Sequence, residues 1–205
     1  MSKGSGVRGT ALRGALAVVG LVWAALAPGA GAQAGGGSEQ APLAPPLAPL
    51  LPPPEVPAAL RVPEDQALLF RAYAQGTQVY GCRAGAGGGF AWTLLQPVAT
   101  LVDDEGLLLG IHGRGPFWAA YDGSRVVGAG LANVPAPAPA RDIPLLLLRA
   151  TGSGEGRFAP VTYIQRLDTR GGVAPPGPCD PTGESTLAVP YLAVYYFYGP
   201  RAGAS

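Results

Sequence analysis

The stretch GIHGRGPFWAAYDGS (110–124) holds the only histidine of this 205-residue chain, His112, followed closely by Asp122 and Ser124. These are the three side chains of a nucleophilic triad, in which a histidine takes the serine proton and an acid orients the imidazole. That chemistry needs all three groups within hydrogen-bond reach and the serine on a sharp turn beside an oxyanion hole. No G-x-S-x-G elbow occurs in the chain, and Asp122-Gly123 sits between two apolar runs, the signature of a type I′ hairpin turn. A serine just after such a turn commonly serves local hydrogen bonding. A hydrolase using His112 with Asp122 or another nearby acid is therefore the alternative reading, not the preferred one, and an enzyme is not the favoured class.

Other chemistries are weaker still. Asp103, Asp104 and Glu105 crowd one turn, where a solvated hairpin tip is the commoner meaning of such a run than a calcium site. One histidine and two distant cysteines make a poor zinc site, and there is no C-x-x-C motif, so no metal is assigned. Gly4-Ser5-Gly6-Val7-Arg8-Gly9 satisfies G-x-G-x-x-G but follows no strand and opens no βαβ unit. No nucleotide fingerprint remains, and no cofactor is expected.

The elements that position these residues begin after a leader. Residues 1–13 carry Lys3, Arg8 and Arg13 and no acid, GALAVVGLVWAALA (14–27) is uncharged and apolar, and Ala30-Gly31-Ala32 is a small-residue cleavage site. This is a signal peptide over 1–32, too short in its apolar run for a spanning helix. It predicts a secreted or periplasmic protein with no membrane span after cleavage. Of the 14 basic residues, three fall in the leader, so the remaining chain carries eleven arginines against 13 acids, a net charge of about −2. The arginines are scattered, which argues against nucleic acid as a partner. In an oxidising compartment Cys82 and Cys179 are expected to form a disulfide, closing a loop of about 100 residues.

Residues 33–57 are saturated with proline, alanine and glycine and read as a semi-rigid linker. Residues 58–199 then form the folded domain, with 200–205 a flexible tail. The domain consists of nine short apolar or alternating runs cut by glycine and proline, which predicts an all-β fold, a single-domain antiparallel β-sandwich or barrel with a hairpin meander over 90–131. ALLFRAYA (67–74) and TQVYGCRA (77–84) count as two of the nine. IPLLLLRAT (143–151) is expected to be buried on both faces. A membrane barrel is the rival, disfavoured because most runs are too short and irregular. Trp92, Trp118, Tyr121, Tyr163, Tyr195, Tyr196 and Tyr198 all fall on expected strands, where aromatics serve either a core or a stacking surface.

The motifs VPEDQALLFRAYAQGTQVYGC (62–82), HGRGPFWAAYDGS (112–124), IPLLLLRA (143–150), VTYIQRLDTRGGVAP (161–175) and VPYLAVYYFY (189–198) resemble, in this order, the secreted bacterial and fungal family known as domain of unknown function 3455. The resemblance covers nearly all of 58–199 and implies an exported, single-domain, all-β protein with no established activity. Its motifs supply candidates for contact with a ligand: His112, Trp118, Asp122, Gln165, Arg166 and Thr169. The resulting expectation is a non-enzymatic binding or envelope-associated protein for a carbohydrate or small apolar ligand, with a structural surface protein as a further alternative.

Overall fold

The computed structural model describes residues 54–202 apart from 86 and 184. The leader and most of the linker lie outside the described residues. After a single 3-10 turn, η1 (Ala58–Leu60), eight antiparallel strands follow: β1 (Gln66–Ala84), β2 (Phe90–Val102), β3 (Leu108–Gly113), β4 (Phe117–Ala120), β5 (Arg125–Val134), β6 (Leu145–Ser153), β7 (Tyr163–Gly171) and β8 (Thr186–Pro200). Each strand pairs with its neighbour in sequence, and β8 returns to β1, closing an up-and-down barrel. Of the two all-β forms expected, the barrel is the one adopted, and β2 to β5 form the expected meander. No helix among the described residues is long and apolar enough to cross a membrane, which says nothing of strands.

Eight strands rather than nine are present because the two runs at 67–84 are one strand that passes straight through Gly76. A Cβ at Gly76 would lie 2.1 Å from the Val98 carbonyl oxygen. This glycine does not break the strand; it lets β1 and β2 approach closely. The β4–β5 turn also departs from type I′. Gly123 has φ +88°, but Asp122 does not share the left-handed conformation, and both Gly123 N–H to Ala120 O (3.2 Å) and Ala120 N–H to Ser124 O (2.9 Å) are made. That is a turn closed by one left-handed glycine, and it frees the Asp122 side chain for the backbone beyond.

Period-2 alternation divides each strand between the lumen and the outer face. Opposed pairs Ala99 and His112, His112 and Trp118, Trp118 and Val126 follow one another around one side, and Leu148 and Ile164, Ile164 and Phe197, Phe197 and Phe70 around the other. The lower end is filled by Phe70, Phe158 and Phe197, with centroids 4.7–5.6 Å apart. Burial of each such ring contributes about 1.5–3 kcal/mol. Outside the barrel, Leu60 of η1 packs on Leu68, Leu147, Leu167, Tyr196 and Tyr198. This second cluster explains why Leu147 and Leu148 are both buried, one beneath η1 and one in the lumen.

Cys82 and Cys179 form the expected disulfide, Cα–Cα 5.7 Å. It ties the β7–β8 connection to β1, and an isolated bridge from Pro178 to Ala91 ties the same segment to β2. The connection before β6 is held to the end of β7 by Ile143 N–H to Gly171 O (3.0 Å) and by Gly171 N–H to Asp142 Oδ1 (2.7 Å). These contacts seat Ile143 and Val173 against the upper end of the lumen.

Candidate functional site

His112 and Trp118 are directly opposed on β3 and β4, and their rings stack at 4.4 Å with an interplanar angle of 12°. Tyr195 of β8 meets both edge-on, at 5.2 Å from each. The imidazole Nδ1 lies 2.7 Å from the Phe117 carbonyl oxygen. Because a carbonyl only accepts, Nδ1 carries the proton and Nε2 is left as a bare acceptor. Burial pushes the imidazole pKa down to about 4, outweighing the Phe117 hydrogen bond, which acts the other way. His112 is therefore neutral at physiological pH and a weak base.

Above this aromatic group the lumen turns polar. Tyr191 and Tyr195 lie on the same face of β8, separated by the small Ala193, and Gly76 stands opposite Tyr191. Gln78 of β1 lies beside Tyr191, since a Cβ placed at Gly172 would touch both. Arg166 of β7 is paired with Tyr195. Its Nε and Nη2 donate to the Pro144 carbonyl at 3.2 and 2.8 Å, and its charge acts on His112, Tyr191 and Tyr195. Burial, the largest cause in each case, raises the Tyr191 and Tyr195 phenols above their ordinary range, so both stay neutral hydroxyls.

Four polar atoms of this group are buried without a hydrogen-bond partner: Gln78 Oε1, Trp118 Nε1, and the Tyr191 and Tyr195 hydroxyls. The Tyr191 and Tyr195 hydroxyls lie near enough to act on one another, and Tyr195 also on Arg166, without a close hydrogen bond between them. A buried polar atom without a protein partner needs an ordered water or another hydrogen-bonding group to meet it.

The barrel wall beside this region is incomplete. The short β3–β4 hairpin pairs β2 only over Ala99–Val102 and β5 only over Arg125–Val127. The upper parts of β2 and β5 have no ladder partner on that side. Gly130 of β5 shares the face of Leu148, yet a Cβ at Gly130 would meet nothing within 4 Å. The space beside Gly130, above the Gly113–Phe117 tip, is open.

The expected candidates divide into two groups. His112, Trp118 and Arg166 come together in the lumen. Asp122, Gln165 and Thr169 do not. Asp122 lies past the end of β4, where its Oδ1 accepts from both Ser124 N–H (2.8 Å) and Ser124 Oγ–H (2.5 Å) and its Oδ2 from Arg157 N–H (2.9 Å). These bonds, the Arg157 one foremost, hold its carboxyl below the usual range. Ser124 Oγ in turn accepts from Phe158 N–H at 3.0 Å. The pair is a clamp that seats Phe158 in the barrel floor. Gln165 faces outward, donating to Leu60 O (2.7 Å) and accepting from the Tyr198 hydroxyl (2.7 Å), and Thr169 donates to Ile143 O (2.6 Å). Asp122 and Ser124 thus bond each other, while the His112 Nδ1–H goes to the Phe117 carbonyl.

Gln78 and Tyr191 are the members that motif reading passes over. The available signal was parity: Tyr191, Tyr195 and Phe197 alternate on one face of β8, and Gln78 follows Phe70, Ala72, Ala74 and Gly76 on one face of β1. Splitting β1 at Gly76 hides that second series. Elsewhere, a cleft of about 1020 Å³ runs along the outer face between Pro54–Val56 and the Gln165–Tyr198 pair, whose polar atoms are already bonded to each other. Another, of about 380 Å³, lies over Tyr73, Asp168 and Leu192. Among the described residues no group of three or more histidine, cysteine or acidic side chains is placed to hold a metal ion. Residues 63–199 match the model of the family described as "Protein of unknown function (DUF3455)". No curated protein and no solved structure matches the chain.

Proposed function

We propose that this chain, which belongs to the DUF3455 family of proteins of unknown function, is an exported small-molecule-binding protein whose ligand occupies the upper lumen of the barrel. The observation that carries the reading is the set of four buried, unpartnered polar atoms on Gln78, Trp118, Tyr191 and Tyr195. Small eight-stranded barrels have room for side chains or for one small ligand. Here the lower lumen takes the first form, packed with phenylalanines. The upper lumen instead sets polar tips above small residues such as Ala72, Ala74 and Ala99. Export is supported by the leader-like N-terminal sequence and accords with the Cys82–Cys179 disulfide.

Binding is favoured over hydrolysis by the same geometry. His112 donates to a backbone carbonyl rather than to an acid, and Asp122 and Ser124 are committed to the Phe158 segment. The test is thermal denaturation of the intact protein across panels of sugars, fatty acids, small organic acids and divalent metals. A ligand present at 100 times its Kd stabilises by about 2.7 kcal/mol. The expected result is a saturable rise in Tm with one class, abolished in Tyr195→Phe. No rise with any class, together with a crystal structure whose upper lumen holds only ordered water, overturns the proposal.

A further inference from the structure

The charge balance of the upper lumen narrows the ligand class; the argument rests on the lumen being a binding site. Trp118 Nε1–H and the Arg166 guanidinium can only donate, and the Tyr191 and Tyr195 hydroxyls can donate. The two hydroxyls also accept, and Gln78 Oε1 and His112 Nε2 can only accept. The groups that can only donate, Trp118 Nε1–H and the Arg166 guanidinium, favour a ligand that accepts.

Charge adds a second, independent constraint. Among the described residues the ion pairs are Arg71–Asp104, Arg141–Asp142 and Arg157–Asp103, so no acid pairs with Arg166. Its Nε and Nη2 are committed to Pro144 O, which fixes the guanidinium beside the Tyr195 hydroxyl. His112, Tyr191 and Tyr195 are all neutral, so the lumen carries one uncompensated positive charge. A neutral sugar would leave that charge without a counterion.

We propose that the ligand is a small monocarboxylate, its carboxylate received by the Arg166 guanidinium and the Tyr191 and Tyr195 hydroxyls and its remainder directed toward Trp118 and the open space at Gly130. One negative charge matches one guanidinium, and hydrogen bonds to an ionised acceptor are roughly twice as strong as neutral ones. A doubly charged phosphate would carry one charge in excess of what the lumen offers.

Calorimetric titration of the intact protein with two isosteric pairs, acetate against acetamide and benzoate against benzamide, tests this directly. At least one acid is expected to bind more than about tenfold tighter than its amide. Arg166→Gln is expected to remove that preference, and Arg166→Lys to restore part of it; the thermal transition of each variant checks that it is folded. Equal affinity for acid and amide, or an undiminished preference in folded Arg166→Gln, overturns the carboxylate assignment but leaves the lumen site standing. If Tyr195→Phe leaves the binding of every compound unchanged, the lumen site itself falls with it.

Discussion

Acid should weaken this fold through a single imidazole. His112 is held neutral by burial, with a folded pKa near 4 against about 6.5 when exposed. Between those values the unfolded chain binds a proton that the folded barrel does not, so stability is full above the unfolded pKa and declines as pH falls. Each pKa unit is about 1.36 kcal/mol, so the loss reaches about 3 kcal/mol by pH 4 and then levels off. For a domain of this size that is a fall in Tm of roughly 6–12 °C. Asp122, whose carboxyl is held below its ordinary range, acts in the same direction but only below the carboxylate pKa, so the window between pH 6.5 and 4.5 reports His112 almost alone. Urea unfolding at closely spaced pH values, wild type against His112→Gln, isolates the effect as a difference in slope. Because the chain has one histidine, an NMR titration of its imidazole carbons reads the same pKa without assignment ambiguity. A midpoint at 6 or above, or equal slopes in the two proteins, would refute the account of a buried neutral acceptor.

Three further perturbations test the scaffold. Phe158→Ala should cost about 3–5 kcal/mol in urea unfolding, and Ser124→Ala about 1–3 kcal/mol by stranding the Phe158 N–H; a loss of ligand binding without loss of stability in Ser124→Ala would instead give that hydroxyl a chemical role. Gly76→Ala should prevent the β1–β2 approach, read as loss of soluble folded protein by circular dichroism, since its Cβ would fall 2.1 Å from the Val98 oxygen; a normally folded variant would show that the two strands can separate. Cys82→Ser with Cys179→Ser should lower stability by about 2–5 kcal/mol, measured by urea unfolding of the oxidised wild type beside the double variant.

Much of the architecture was legible because it rests on local signals. The meander over 90–131 follows from the Asp122-Gly123 and Asp103–Gly106 turns, which join short apolar runs. The disulfide follows from two cysteines in a chain whose N-terminal sequence reads as an export leader. What local patterns do not reveal is where strands meet. Gly76 reads as a break because its use, a close approach to Val98, involves a partner strand. Asp122 and Ser124 read as triad parts because their real partners, the Arg157 and Phe158 amides, lie more than thirty residues away in sequence. His112, Trp118 and Arg166 were recognisable by residue type, but their union with Gln78, Tyr191 and Tyr195 depends on the closure of β8 onto β1 and β7. A run such as VPYLAVYYFY shows its alternation in sequence and not which face the barrel encloses.

The central claim is that the upper lumen, and not the outer face, meets the ligand. The most direct measurement is the 1H–15N spectrum of the intact protein during titration with benzoate, following the indole Nε1–H of Trp118, identified by its loss in Trp118→Phe. Trp118 is almost wholly buried and its Nε1–H has no partner, so that resonance should move saturably while the Trp92 indole stays in place. A Trp118 indole that remains fixed while benzoate binds, with shifts confined to outer-face residues such as Tyr73 and Leu192, would contradict the account.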